Sequence, residues 1–298
     1  MTEYLGELAA LGTAVCWSFT SLSFEAAGKR VGSLQVNFIR LALAFIFISL
    51  FTKVTRAHFL PIDATPHAWL WLSLSGLVGF VLGDLMLFKA FVVIGARISM
   101  LVMALVPPLT AIIAWIVLGE ALTFIEISAM MITILGVALV VLERGKENGQ
   151  IVLSRPLNGI LYAFGGAVGQ AVGLILSKIG MGDYNAFAAT QIRIITGVIG
   201  FGLIILLMRR KQHLIEALQN RIAMGFMTIG AFFGPFLGVS LSLLAVQHTD
   251  AGIAATITAI VPVLIIPPAI LFFKEKVTLK EIIGACLAVA GVIIFFIE

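Results

Sequence analysis

A carboxylate, three cations and several neutral polar side chains stand inside stretches of sequence that are otherwise almost wholly apolar. Asp84 sits in the middle of GFVLGDLMLFKAF, far from either end of its apolar run, where translocon scales set the cost of a lone charge at ~2.5 to 3.5 kcal/mol. Something must offset that cost. Asp84 is therefore expected to serve as a proton or substrate site, the alternatives being a structural ion pair or a protonated, hydrogen-bonded acid. Lys89 follows five residues later, offset by about 140° on an ideal helix, so the two need not share a face. It is expected to snorkel toward the nearer headgroups; pairing with an anionic substrate is its functional alternative. Arg40 and Arg193 each lie within two turns of the start of a run. An Arg fork can hold helix-end carbonyls or a carboxylate, so a supporting role is expected of both. Asn37 and Gln191 beside them offer neutral hydrogen bonds to a substrate or between helices.

Trp17 and Gln170 fall about halfway through their runs, where an interfacial aromatic belt would not place a Trp. They are expected to line a cavity, as an aromatic wall and a polar contact. Ser18, Thr20 and Ser21 add polar edges to the first run, and Glu25, near its end, is expected to reach solvent. Enzyme chemistry finds little support: G-x-x-x-x-G-K-[ST], H-E-x-x-H, G-x-S-x-G and G-x-G-x-x-G are all absent from the sequence. His58, His67, His213 and His248 lie in or beside connections without metal-site spacing, so neither a metal nor a cofactor is expected.

The elements that must hold these residues follow from composition. Of 298 residues 61% are apolar and 11% charged, against ~45 to 50% and ~25% in soluble domains. The solvent is therefore the bilayer. Runs bounded by charge or turn residues lie near 6–27, 34–52, 70–93, 98–118, 123–142, 158–178, 186–208, 223–246, 251–273 and 280–297. They must be helices, because unpaired backbone amides in hydrocarbon cost several kcal/mol. An all-α integral membrane protein of ten helices is expected, with no room for a soluble domain. The start, MTEYLGE, has two acids and no base, unlike a cleavable signal peptide, so the first run is expected to remain. Cys16 and Cys286 sit in apolar runs as small hydrophobes. The basic residues are scattered through short connections, which argues against a nucleic-acid partner.

A shift of 155 residues lays ALVPPLTAIIAWIVLGEALTFIEI on AIVPVLIIPPAILFFKEKVTLKEI and continues to Glu143 on Glu298, with twelve of forty positions identical. Pro107 pairs with Pro262, Glu120 with Glu275, Thr123 with Thr278, Glu126 with Glu281 and Gly136 with Gly291. The same shift pairs Gly79 with Gly234 and Gly83 with Gly238, while a shift of 153 pairs Arg40 with Arg193. The chain thus divides into residues 1–143, a connection 144–156 whose charges and Pro mark a seam, and residues 157–298. Five spans per half is odd, so the halves are expected to be inverted copies, with a binding site between them exposed to each side in turn. Glycine stripes such as 165/169/173 and 230/234/238 let helices approach closely, and Pro107 and Pro262 are expected to bend the cavity walls.

The repeated P-containing helix ending in L-G-E or K-E, the following Thr, and an apolar helix closing with a Gly resemble the EamA type of the drug/metabolite transporter superfamily. GDLMLFKAFVVIGARISMLVMALVPPLTAIIAWIVLGE carries the resemblance best, although Lys274 stands where the first copy has Gly119. Such a resemblance implies a ten-helix carrier of small metabolites, amino acids among them, driven by gradients rather than ATP. Export across the plasma membrane by a monomer or homodimer is expected, with protons as a candidate coupling ion; uptake of a sugar or nucleoside derivative, or a scaffold or sensor, are the alternatives. Thirteen Lys and Arg lie at the connections after odd-numbered spans against three on the face of the termini, which would put the termini outside. The resemblance implies termini in the cytoplasm.

Overall fold

The computed structural model describes residues 4–118, 123–144, 151–248, 254 and 257–295. Glu120, Glu298 and the connection 145–150 lie outside them. Seven described helices are long and apolar enough to cross a membrane by length and composition. They are α1 (Leu5–Val31), α2 (Ser33–Arg56), α3 (Pro66–Ile94), α4 (from Ala96, through a 3-10 turn at Met103–Leu105, to Leu118), α6 (Leu157–Met181), α7 (Ala186–Leu207) and α9 (Arg221–His248). Among the described residues there are also three shorter apolar helices: α5 (Phe124–Val141), α10 (Val261–Leu271) and α11 (Leu279–Phe295). Two elements were not legible in the sequence. The seam pairs as a two-stranded antiparallel ladder, β1 (Leu142–Arg144) on β2 (Ile151–Leu153), and the connection before α9 contains an amphipathic helix, α8 (Lys211–Gln219).

Helix starts follow local chemistry. Thr65 accepts from the Ala68 amide with Pro66 in the first turn of α3, and Asn185 and Asn220 cap α7 and α9. Thr278 and Glu281 form a reciprocal capping box on α11, Glu281 Oε2 accepting from the Thr278 amide at 2.8 Å and Thr278 Oγ1 from the Glu281 amide at 3.3 Å. This gives the repeated T-x-x-E a physical meaning. Gly32 and Gly95 turn the chain between α1 and α2 and between α3 and α4 with φ of +88° and +86°, a region that side-chain-bearing residues disfavour.

Packing follows the internal repeat. Helix α1 lies along α9 while α6, its repeat counterpart, lies along α3; α2 packs on α7, and α5 on α11. The α5–α11 contact is reciprocal. A Cβ on Gly136 would collide with the Ala288 backbone, and one on Gly291 with the Thr133 backbone, each being the other's image under the 155-residue shift. Gly136 also faces Gly284, and Gly291 faces Ala129; positions rise along one helix as they fall along the other, so the two run antiparallel. Both copies also wind into a π-helical stretch at the same place, Gly76–Gly83 in α3 and Phe232–Gly238 in α9.

Candidate functional site

Asp84 follows directly on the π stretch of α3, its amide donating back to the Gly79 carbonyl. Such wide turns often mark functional positions. Asp84 is 3% exposed, and both its carboxylate oxygens are engaged. Oδ2 pairs with the Arg40 guanidinium, and Oδ1 accepts from Gln170 Nε2 at 2.8 Å. Asn37, one turn before Arg40 on the same face of α2, accepts from Arg40 Nε at 3.1 Å and donates to the Asp84 carbonyl at 3.2 Å. Three helices thus converge on one acid.

Glycine makes the convergence possible. A Cβ on Gly169 would lie 2.6 Å from Gly83 Cα, and one on Gly173 would lie 3.0 Å from Gly79 Cα. The backbones of α3 and α6 therefore touch, which brings Gln170, adjacent to Gly169, within reach of Asp84. Aromatic rings close the remaining sides. Arg40 Cζ lies 4.2 Å from the Phe88 ring centroid and 5.4 Å from that of Phe24, while Arg193 Cζ lies 4.7 Å from Phe80. Desolvated cation–π contacts of this kind are worth ~2 kcal/mol.

The group borders a cavity of about 170 Å³ walled by both halves of the chain. Trp17, Ser21, Arg40, Asp84, Pro107, Gln170, Arg193 and Pro262 all line it. Pro107 and Pro262 each occupy the second position of a helical segment that restarts beside the cavity, at Val106 and Val261. Asn37 stands behind the lining and acts through Asp84 and Arg40. Gln191 does not reach the cavity, since its amide donates to Ser49 Oγ and the Phe59 carbonyl, both at 2.8 Å. Lys89 is exposed, with Nζ 5.6 Å from the Tyr162 ring centroid, and also lies apart from the cavity.

Glu25 corrects the sequence reading. It is 4% exposed rather than solvated, because the turn at Gly95 leaves the first amide of α4 without a helical partner and Glu25 Oε2 accepts from that amide of Ala96. Its other oxygen takes Lys29. Nearby, Arg97 reaches across the molecule to Glu281 at 3.2 Å and Glu275 at 3.4 Å. These charges lock the end of α1, the start of α4 and the α10–α11 connection together on one face. In the opposite direction the cavity lining continues to Val246, Ala254 and Thr258. Sequence spacing gave no sign of the Arg97–Glu281 pair, whose members are 184 residues apart. The aromatic lining was equally hidden among 22 Phe in an apolar chain. Among the described residues no group of three or more His, Cys, Asp or Glu could hold a metal ion.

A multi-pass helical architecture with a largely apolar cavity between two repeated halves, bordered by a buried Arg–Asp–Gln group, is one that many secondary transporters share. The model of the EamA-like transporter family matches residues 4–142 and 157–297, and this chain belongs to that family. It is 27% identical over 181 residues to an uncharacterized transporter of Clostridium kluyveri, a match covering 61% of this chain and 57% of that protein. A second uncharacterized transporter, from Archaeoglobus fulgidus, is 20% identical over 97% of both chains. A solved crystal structure shares the fold with a TM-score of 0.62 at 16% identity, covering 97% of this chain and 95% of the other.

Proposed function

We propose that the chain is a secondary transporter of ten spans in two inverted five-helix repeats, residues 1–143 and 157–298 joined by 144–156. It exports a small metabolite, an amino acid or a similar molecule, across the plasma membrane by alternating access. The observation that carries this reading is the cavity walled by both halves, with Arg40, Asp84 and Gln170 fixed in its side. Its support is the antiparallel contact between the repeat counterparts α5 and α11, the relation inverted repeats require. The Arg97 ion pairs on one face and the lining that continues toward Ala254 on the other fit a carrier closed on a single side.

Trp17 and Ser21 serve as wall and polar edge for the cargo, Gln170 positions Asp84, and Arg40 neutralises it. Protons are the candidate coupling ion. Counterflow in proteoliposomes tests the reading: vesicles loaded with one unlabelled amino acid at a time should accumulate the same labelled compound against its gradient. Absence of accumulation across amino acids, monocarboxylates, sugars and nucleosides alike would remove the carrier assignment. Flux indifferent to an imposed pH gradient would remove Asp84 as proton carrier.

A further inference from the structure

The internal repeat duplicates the cation of the site without duplicating the acid. Arg40 and Arg193 are counterparts, but the position equivalent to Asp84 is Val239, and the position equivalent to Asn37 is Thr190. In the first copy every group is satisfied: Arg40 by Asp84 and Asn37, and Asp84 additionally by Gln170. The second copy is incomplete. Arg193 is 4% exposed and has no ion pair and no hydrogen bond among the described residues, and its Nε is buried without a partner. Thr190 Oγ1, in the place of Asn37, is also buried without a partner. Both oxygens of Asp84 are already committed to Arg40 and Gln170.

Two guanidiniums and one carboxylate leave one positive charge in a cavity whose other walls include Trp17, Phe24, Phe88, Phe91 and Met100. An uncompensated buried guanidinium is costly, and the Arg fork matches a planar carboxylate with two parallel hydrogen bonds. Phe80, stacked 4.7 Å beneath Arg193, orients that fork. We infer that Arg193 anchors the carboxylate of the transported molecule, and that the cargo is a small monoanion with an apolar or aromatic body. The inference rests on the carrier reading above and names its substrate class. Asp84 then serves as the counter-charge of Arg40, and the cargo carries the negative charge that the second copy lacks.

The test uses the purified full-length protein and thermal shift, since a ligand that binds the folded state raises its apparent stability. The probes are phenylacetate and 4-methyl-2-oxopentanoate, phenylacetamide as the uncharged match, and phenyl phosphate. Both carboxylates should stabilise saturably and phenylacetamide should not. Arg193→Gln should weaken phenylacetate about tenfold or more, as expected for loss of a charge-assisted pair, and Arg193→Lys should restore part of the affinity. Stabilisation by phenylacetamide equal to that by phenylacetate, a preference for phenyl phosphate, or unchanged phenylacetate binding by Arg193→Gln overturns the assignment. Should Arg193→Gln fail to fold, the acid-against-amide comparison in the unaltered protein decides. Counterflow separates this failure from that of the wider reading: carriage of amides, sugars or nucleosides but not of carboxylates removes the anion site and leaves the transporter, whereas no flux of any compound removes both.

Discussion

Replacing Asp84 by Asn keeps the size and hydrogen-bonding reach of the side chain while removing its charge, so it isolates the ionic part of the site. The Gln170 amide still finds an oxygen to donate to, and Asn37 still donates to the backbone carbonyl of residue 84. Arg40 and Arg193, each 4% exposed, are left without a counter-charge. Removing one partner of a buried pair costs ~3 to 5 kcal/mol. The Phe88 ring, 4.2 Å from Arg40 Cζ, continues to stabilise the cation, so the expected loss lies at the lower end, about 3 kcal/mol. Arg40→Met combined with Asp84→Asn removes both charges, and the double variant should be more stable than the sum of the single losses by about 2 to 3 kcal/mol. Equilibrium unfolding in mixed micelles with increasing SDS, read by Trp fluorescence, measures all four corners of the cycle. Asp84→Asn within about 0.5 kcal/mol of the unaltered protein, or strict additivity in the double variant, would refute the ionised pair and leave a protonated acid in its place.

Gly136→Leu and Gly291→Leu should each destabilise the α5–α11 contact by about 1 to 3 kcal/mol, because each drives a side chain into the facing backbone; wild-type melting temperatures in detergent would contradict that contact. Arg97→Gln removes both ion pairs on the locked face. With Cys16 and Cys286 replaced by Ser, labelling of a Ser21→Cys reporter from that face by an impermeant maleimide should rise about five- to tenfold, as loss of roughly 1 kcal/mol gives. Unchanged labelling would mean the pairs do not hold the face shut. Burial, reinforced by the neighbouring carboxylate of Glu25 and by Glu281, holds the Glu275 carboxyl above its ordinary 4.5, with Arg97 and Lys29 opposing. A raised acid takes up its proton more readily folded than unfolded, so its stabilising contribution is complete below the ordinary value and is lost as pH rises through the folded one. The unaltered protein should therefore gain melting temperature relative to Glu275→Gln as pH falls from neutral toward 4.5; a pH-independent difference would contradict the shift.

Much of the architecture follows from one-dimensional information. Apolar runs in a charge-poor chain require helices, because hydrocarbon leaves backbone amides no other partner. The 155-residue repeat located the counterparts Gly136 and Gly291, whose contact the fold then makes reciprocal. Asp84 stood out because a charge amid GFVLG and LMLF is too costly to be incidental. Which groups meet the Asp84 carboxylate needed the third dimension, since α2 and α6 bring Arg40 and Gln170 to it from distant parts of the chain. Gln191 shows the reverse: adjacent in sequence to the helix face that bears Arg193, it is turned by helical geometry toward Ser49 and Phe59.

The sequence alone determined the bilayer as solvent, the helices and the doubling, because these depend on composition and local periodicity, which need no partner to be read. Only the tertiary structure decided which charges meet: Glu25 became buried, Arg97 found Glu281, and Arg40 took the one acid while Arg193 was left with none. Electrostatic pairing depends on distances between helices far apart in the chain, and those distances are set by where glycine lets two backbones touch.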